Sequence, residues 1–262
     1  MNTKQKLKGV ILAAGRGTRL RPLTEVTNKI LLPVFDRPMI ANSIDTLTSL
    51  GIKDICVVTS KEHLSGFMRF LGDGSNFGVK FTYVIQDRPL GISHALMQAE
   101  DFFKGSKVVT ILGDNLFERI EIPKRALTDQ EAYIFLKEVK YPHRFGIANM
   151  DKMGNVIGIE EKPKKPKTHY AVTGLYIFPN DVFRFVREEQ KPSARGEYEI
   201  TDVCNHYIKR MKLKVLKVSG YWLDTGTFES LLKASILRAI SMNPDVLKGT
   251  DKKALIKILT KI

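Results

Sequence analysis

Cysteine is scarce in this sequence, and its scarcity excludes two kinds of architecture. The 262 residues include two cysteines, Cys56 and Cys204, without a Cys-x-x-Cys pair or a histidine at metal-binding spacing. A disulfide-stapled secreted domain needs more cysteines, and structural zinc needs closely spaced Cys or His ligands. The sequence therefore predicts a protein of a reducing compartment without structural zinc.

Long apolar runs are absent as well. The first apolar run after the basic N-terminal segment extends only from Val10 to Ala14, which is too short for the core of a signal peptide. No run approaches the roughly 20 residues that a membrane-spanning helix requires. We expect a cytoplasmic protein with no membrane partner.

Negative charge is in the minority. Lys and Arg number 42 and Asp and Glu 28, which gives a net charge of +14. Such an excess attracts polyanions, of which nucleic acid is the first to consider. The basic residues are spread along the chain, however, and no nucleic-acid-binding motif accompanies them. We expect mostly solvated lysine and no nucleic-acid partner, although nucleoside triphosphates and sugar phosphates are polyanions too.

Short apolar runs alternate with amphipathic segments in the first half of the chain. Buried strands are predicted at residues 10–13, 55–58, 81–85 and 108–112, and helices at 38–50, 62–71 and 92–102. This alternation predicts an α/β fold, a Rossmann-like, doubly wound, mostly parallel mixed sheet with right-handed crossovers. Beyond Pro123 the pattern is richer in strands, which are predicted at residues 133–136, 156–159, 170–176 and 214–218, with helices at 199–211 and from about 227 to 241.

The first strand leads into a glycine-rich basic loop, residues 14–19. Glycines allow backbone N–H groups to converge on an anion, Arg19 can fork onto phosphate oxygens, and Lys29 adds a compact second charge. The loop fits neither the dinucleotide fingerprint, which needs glycine where Leu20 stands, nor a P-loop. An ordinary strand-to-loop turn is an equally good reading of this loop alone.

Two polar side chains follow later strands. Asp114 comes after the strand 108–112 and a glycine, at the sheet edge where α/β folds bind ligands, although a turn or helix-cap aspartate is the alternative. Gln86 follows the strand 81–85 and offers both a donor and an acceptor to the imide edge of a pyrimidine. A structural loop glutamine is its alternative, and Gly91 would let the backbone approach the base.

The motifs and their order resemble one family. They are GxGTRLxPLT at 15–24, Asn-Lys at 28–29, Leu-Leu-Pro at 31–33, LGDN at 112–115, EEKP at 160–163, KPSARGEYEITD at 191–202 and WLDTGT at 222–227. Over residues 8–237 the chain closely resembles the sugar-1-phosphate nucleotidyltransferases, and within them the glucose-1-phosphate thymidylyltransferases.

The resemblance implies the sheet of the nucleotide-diphospho-sugar transferases, a β-rich sugar-binding part, and nucleotidyl transfer from dTTP to glucose 1-phosphate. It implies Mg²⁺ as the cofactor, with Asp114 and Asp224 as ligands. Catalytic roles fall on Arg19, Lys29 and Lys162. Nucleotide contacts fall on Leu12, Ala14, Gly15, Gly17, Thr18, Arg19, Gln86, Pro89, Gly91 and Asp114. Sugar-phosphate contacts fall on Phe145, Gly146, Glu161, Lys162, Val172 and Arg195.

Two positions depart from the family pattern. Relatives commonly have Gly where Ala14 stands and Tyr where Phe145 stands, and both differences concern the substrates more than the reaction. A transferase that uses UTP or another sugar phosphate is therefore an alternative. A non-catalytic nucleotide-sugar sensor is a second one, although the retained acidic pair speaks against it.

The domain organisation follows from the same pattern. We predict a catalytic domain over residues 1–241, with a nucleotide-binding part at about 1–122 and a sugar-binding part at about 123–241. A helical tail follows over 242–262, with apolar residues spaced i, i+3, i+4, i+7 at Leu255, Ile258, Leu259 and Ile262. A membrane-surface helix is the alternative to packing on the domain or on a sister subunit, and we expect the packing and a homo-oligomer.

Overall fold

A mixed central sheet organises the molecule. The computed structural model describes residues 7–243 and residue 245. Its strands are β1 (Leu7–Leu12), β2 (Pro33–Val34), β3 (Arg37–Pro38), β4 (Asp54–Thr59), β5 (Lys80–Ile85), β6 (Lys107–Leu112), β7 (Asn115–Phe117), β8 (Ala132–Glu138), β9 (Gly146–Met150), β10 (Val156–Glu161), β11 (Tyr170–Phe178), β12 (Leu213–Lys217) and β13 (Trp222–Asp224). Its α-helices are α1 (Ile40–Ser49), α2 (Leu64–Leu71), α3 (Ile92–Met97), α4 (Glu100–Phe103), α5 (Val182–Glu188), α6 (Ile200–Lys209) and α7 (Phe228–Met242).

The half of the sheet formed by the first part of the chain is parallel, in the order β6-β1-β4-β5. Successive residues of a strand point to opposite faces, so that Val10 and Ile11 enter two different core layers. Helices α1, α2 and α7 cover the face with Ile11, whereas α3 to α6 cover the face with Val10. The predicted doubly wound α/β fold is thus confirmed.

The long strand β11 joins this half to the antiparallel part of the sheet. β8 runs along one side of β11, and β12 pairs with β8 beyond it. On the other side, β11 pairs with β6 over Leu175–Phe178 and with β9 at Ala171, and β10 closes the hairpin with β9. The β-rich second part predicted from the sequence is therefore fused to the parallel part through β11.

A two-stranded ribbon lies at the end of β6. Two residues separate the end of β6 from the start of β7, which pairs in antiparallel fashion with β13. The ribbon is the element that brings the WLDTGT motif, more than 100 residues later in the chain, to the carboxyl edge of the parallel sheet. Helix α7 follows at once, with Thr227 as its N-cap in a capping box with Ser230.

The helices differ from the predictions in three places. The helix predicted over 92–102 is two short ones, because Gln98 and Ala99 make i to i−3 bonds that tighten the chain at the end of α3. A 3₁₀ turn at Lys61–His63 precedes α2. Helix α5 was not predicted at all, since its seven residues are fewer than two full periods of the helical pattern.

The amphipathic tail predicted beyond residue 245 lies outside the described residues. Within residues 7–243, none of the helices combines the length and the apolar character needed to cross a bilayer.

Candidate active site

One large cavity opens at the carboxyl edge of the parallel strands. Its volume is about 1170 Å³. Every site residue named from the sequence lines it, namely Leu12, Ala14, Gly15, Gly17, Thr18, Arg19, Lys29, Gln86, Pro89, Gly91, Asp114, Phe145, Gly146, Glu161, Lys162, Val172, Arg195 and Asp224. β1, β5 and β6 run in parallel, so the segments that follow them meet at this one edge.

The basic loop after β1 forms the first wall of this cavity. Gly17 adopts the left-handed conformation, with φ +62°, and its carbonyl oxygen accepts bonds from Leu20 N and from Thr24 Oγ1, both at 2.9 Å. Leu20 is fully buried, which explains why an apolar residue stands there. Arg19 projects outward with 56% of its side chain exposed, 4.0 Å from Asp224 Oδ2. Ala14 does not have a positive φ, so its methyl group is accommodated without backbone strain.

Lys29 and Asp114 form a partly buried ion pair on the cavity floor. Asn28 is 2% exposed and presents Lys29, because its side chain donates to Ala13 O and accepts from Ile30 N, each at 2.9 Å. Lys29 Nζ donates to Asp114 Oδ2. Burial alone would raise the pKa of the Asp114 carboxyl, but the Lys29 ammonium outweighs it and holds that pKa below its ordinary value.

The second carboxylate reaches the same place through the ribbon. Asp224 pairs with Asn115, the residue that follows Asp114. Thr225 bonds the backbone of Asp114 directly, from N at 2.9 Å and from Oγ1 at 2.8 Å. Burial and the neighbouring charge of Asp114 raise the pKa of Asp224. The two carboxylates are therefore adjacent and interact electrostatically.

Asn115 connects these groups, and its role was not anticipated from the sequence. Its Nδ2 donates to Asp114 Oδ1 at 2.9 Å, while its Oδ1 accepts from Gly174 N at 2.9 Å and from Trp222 Nε1 at 2.6 Å. A Cβ at residue 174 would lie 2.5 Å from the Asn115 side chain, so β11 can approach this closely only at a glycine. The available signal was the position of an amide next to the aspartate of LGDN.

The loop after β5 forms the next wall. Gln86 is 5% exposed, and its Nε2 lies 3.3 Å from Gly91 O and 2.9 Å from His94 Nδ1. Gly91 has φ +107°, and a Cβ there would lie 2.6 Å from Tyr198 O, so glycine is required for two reasons. Tyr198 N donates to Leu90 O at 2.7 Å. This loop is thereby attached to the segment that carries Arg195.

A cluster of opposite charges forms the far wall. Lys162 Nζ and Arg195 Nη2 lie 3.4 Å and 3.3 Å from Glu161 Oε1. Arg195 also donates from Nη2 and Nε to Glu199 Oε1, at 2.7 Å and 3.2 Å. Burial raises the pKa of Glu161 despite the two cations. Lys162 has φ +45°, and its N–H donates to Phe145 O at 3.0 Å, so the backbone turns sharply at the end of β10.

Other side chains of this cavity were not singled out from the sequence. Trp222 packs its ring 5.1 Å from that of Phe145, measured between centroids. Three more arginines add positive charge to the cavity lining, namely Arg16, Arg88 and Arg144. Glu199, at the start of α6, holds Arg195 without lining the cavity itself. Trp222 and Glu199 lie inside motifs quoted from the sequence, whereas the three arginines stand at positions that no motif marks as functional.

The acidic groups set a limit on what the cavity can bind. In the part of the chain that the structure describes, no three His, Cys, Asp or Glu side chains cluster at metal-binding distance. The site thus provides two adjacent carboxylates, several cations and an amide edge. This set of groups suits the binding of polyphosphates, and it does not suit a metal ion held by protein ligands alone.

Comparisons with known proteins agree with this arrangement. The glucose-1-phosphate thymidylyltransferase of Neisseria meningitidis is 41% identical over 235 residues, which are 87% of this chain and 81% of that protein. The enzyme of the same name from Mycolicibacterium smegmatis is 41% identical over 253 residues, 94% of this chain and 88% of that protein.

Solved structures show the same fold. A crystal structure from Bacillus anthracis, assigned as a glucose-1-phosphate thymidylyltransferase and solved with sucrose, has a TM-score of 0.84 and 47% identity, covering 88% of this chain and 95% of that chain. UDP-glucose pyrophosphorylase with UDP-glucose has a TM-score of 0.79 at 22% identity, covering 90% and 100%. The family model described as nucleotidyl transferase matches residues 8–239. This chain therefore belongs to the nucleotidyl transferase family and is a nucleotidyltransferase.

Proposed function

We propose that this protein transfers a thymidylyl group from dTTP to glucose 1-phosphate and releases pyrophosphate. The observation that carries the proposal is the single cavity lined both by Arg19, Lys29 and Asp114 from the nucleotide side and by Lys162 and Arg195 from the sugar side. Relatives named for this reaction are 41% and 43% identical over 235 residues. A site that holds two phosphorylated substrates together is what the reaction requires.

The chemistry joins two anions. An oxygen of the sugar phosphate attacks the α-phosphorus of the nucleotide, the bond from that phosphorus to its bridging oxygen breaks, and pyrophosphate leaves with the electron pair. The attacking oxygen is already negative, so the site needs no general base. The protein has to supply alignment and positive charge at the places where charge develops.

Arg19 and Lys29 suit different parts of that task. The Lys29 side chain is 15% exposed and is held against Asp114, so it is fixed beside the place where the α-phosphate would lie. The Arg19 side chain is 56% exposed at the cavity mouth and is free to close on the β- and γ-phosphates and the departing pyrophosphate. We assign charge neutralisation at the transferred group to Lys29 and at the leaving group to Arg19.

Asp114 and Asp224 would hold Mg²⁺. This ion prefers oxygen ligands and takes one or two carboxylates together with substrate phosphates, which fits two adjacent carboxylates without a third acidic neighbour in the described residues. Burial and the charge of Asp114 raise the pKa of Asp224 although Lys29 and Arg19 lie nearby, so a further positive charge would stabilise the ionised pair. When bound, the ion would supply charge neutralisation at the phosphates.

The sugar phosphate fits the opposite wall. Glu161 offers a half-buried carboxylate that can accept hydroxyl hydrogens of the sugar, and Lys162 and Arg195 offer their charges to its phosphate. Gly146, Phe145 and Val172 complete the pocket around the sugar. On binding, Arg195 would replace its contact with Glu161 by a contact with the phosphate. Its hydrogen bonds to Glu199 would remain.

The nucleobase fits the wall built by Gln86, Pro89 and Gly91. Thymine and uracil differ by one methyl group, and such a difference gives about 10–200-fold discrimination in an apolar pocket. UTP should therefore be accepted at a lower rate, and preference for dTTP is part of the proposal.

We also propose the nucleotide-binding and sugar-binding division near residue 122, a homo-oligomeric state and a cytoplasmic location. Support for the oligomer comes from apolar side chains left exposed on α7, with Phe228 at 45%, Leu232 at 52% and Met242 at 58%. A molar mass by light scattering tests it, and a mass of 29.7 kDa would contradict it.

The deciding experiment is a pyrophosphate-release assay. Release that needs Mg²⁺, dTTP and glucose 1-phosphate together is the expected result. A panel of dTTP, UTP, CTP and ATP with several sugar 1-phosphates ranks the substrates by kcat/KM. The double variant Asp114→Asn, Asp224→Asn should neither bind the metal ion nor turn over substrate. Robust turnover by this variant would contradict the assignment. Binding of both substrates without turnover would favour a sensor instead.

A further inference from the structure

The amide of Gln86 has a fixed orientation in the wall of the cavity. Its Nε2 lies 3.3 Å from Gly91 O, and a carbonyl oxygen can only accept a hydrogen bond. The nitrogen must therefore face Gly91, and it lies at the same time 2.9 Å from His94 Nδ1. An amide nitrogen carries two hydrogens, so the two partners use both.

The oxygen of the same amide remains available. Within the described residues, Gln86 Oε1 accepts no hydrogen bond, and Gln86 lines the cavity. A base that enters this pocket therefore meets an acceptor and not a donor. The side chain is 5% exposed, which leaves little room for water to replace the missing donor.

His94 is the second partner that favours this orientation of the amide. For Nδ1 to accept from Gln86, the ring must be neutral and carry its proton on Nε2. Nε2 lies 3.5 Å from Gln98 Nε2, at the limit of a hydrogen bond, so that contact does not compete for the tautomer. The Tyr198 ring covers His94, with 6.2 Å between the centroids, and burial together with the charge of Arg88 lowers the pKa of His94.

We propose that His94 is a positioning residue that strengthens the selection of the nucleobase class, because it adds to Gly91 O the second and shorter bond that keeps the Gln86 oxygen facing the ligand. The class selected is the bases with a ring N–H donor flanked by carbonyl groups, thymine and uracil among the pyrimidines. Cytosine presents an acceptor nitrogen at the same ring position and would place two acceptors against each other. The inference rests on the proposed function in taking Gln86 as a contact of the base.

Loss of the acceptor on His94 should release the amide. In the variant His94→Phe the ring volume stays, but Nε2 of Gln86 keeps only the longer bond to Gly91 O. Turning the amide to offer its N–H to a cytosine then costs one hydrogen bond, the one to Gly91 O, instead of two. In His94→Asn the carboxamide oxygen stands close to the former place of Nδ1 and should restore the orientation.

The test measures binding and turnover separately. Kd values for dTTP and dCTP are measured by calorimetry without sugar phosphate, and kcat/KM for both with saturating glucose 1-phosphate. We expect the ratio of the two nucleotides to fall at least tenfold in His94→Phe and to recover in His94→Asn, while KM for glucose 1-phosphate stays within twofold. His169→Phe is the matched control, because His169 is exposed and does not line the cavity.

Several outcomes decide the question. An unchanged nucleotide ratio in His94→Phe overturns the inference, and so does an equal loss in His94→Phe and His94→Asn, which would indicate packing alone. A two-bond ¹H–¹⁵N spectrum should show His94 protonated on Nε2, and a proton on Nδ1 overturns it as well. If the wild-type protein binds dTTP selectively but releases no pyrophosphate, the proposed function fails while the role of His94 stands.

Discussion

Thr225 donates two hydrogen bonds to one atom, the backbone carbonyl oxygen of Asp114, from its amide at 2.9 Å and from its hydroxyl at 2.8 Å. The residue is fully buried, and it directly follows Asp224. The two carboxylates are thus held in register by backbone contacts and do not depend on a metal ion to bring them together.

Replacing the hydroxyl group of Thr225 should hold Asp114 and Asp224 less firmly relative to each other. We expect Thr225→Val to lower the free energy of unfolding by about 0.5–1.5 kcal/mol, the usual net value of one intramolecular hydrogen bond. Urea unfolding measures it. The concentration of Mg²⁺ that gives half-maximal activity should rise as well. Thr225→Ser keeps the hydroxyl and is the control, and a metal requirement unchanged in Thr225→Val would contradict the positioning role.

Removing Arg19 should affect the rate far more than the stability. Its side chain is mostly exposed, so Arg19→Ala should unfold at the same temperature as the wild type. Loss of a group aimed at developing charge typically costs about a hundred- to a thousandfold in kcat. Arg21→Ala is the matched control, since Arg21 is exposed and does not line the cavity. Equal losses in the two variants would contradict the assigned role.

The carboxylate of Glu161 should lower the free energy of unfolding at neutral pH while it increases the affinity for glucose 1-phosphate. Burial raises its pKa, so the folded state favours the neutral acid and loses stability as pH rises from about 4.5 through the raised pKa. Glu161→Gln should therefore melt at a higher temperature than the wild type at pH 7, and the difference should vanish below pH 4.

The same substitution should raise KM for glucose 1-phosphate about tenfold to a hundredfold, because a charge-assisted hydrogen bond contributes about 1.5–3 kcal/mol. Glu160→Gln is the control for both measurements. Its side chain is exposed on the opposite face of β10. A variant Glu161→Gln that melts lower than the wild type at pH 7 would show that the ion pairs outweigh the burial.

Trp222 should report on the sugar end of the cavity. It is the only tryptophan in the sequence, it lines the cavity, and its ring lies against Phe145. We expect its fluorescence to change on addition of glucose 1-phosphate, with a saturation curve that Arg195→Ala shifts to higher concentration. The variant Phe145→Tyr should keep the signal. A signal that follows dTTP but not glucose 1-phosphate would contradict the placement of the sugar.

Much of this fold was predictable because its strands are buried on both faces. The runs that contain Ile11, Val57 and Val109 are apolar at successive positions, and such runs are distinct from loops even in a single sequence. The site residues followed because parallel strands end at one edge and because the motifs resemble one family. Neither source of information depends on long-range packing.

What was missed depends on contacts between distant segments. Asn115 acquires its importance from Gly174 and Trp222, which lie 59 and 107 residues away. Glu199 contributes by holding the side chain of Arg195, and His94 contributes by orienting the amide of Gln86. No local pattern marks an asparagine, a glutamate or a histidine as the partner of a site residue.

The hydrogen bonds from Tyr198 N to Leu90 O and from Ser93 N to Tyr198 O join the loop proposed to contact the base to the segment that carries Arg195. Anyone who redesigns this protein for a new base by changing residues 88–93 will alter acceptance of the second substrate at the same time. Changes meant to broaden the range of sugars alone belong on β9 and β10, which reach the cavity without touching that joint.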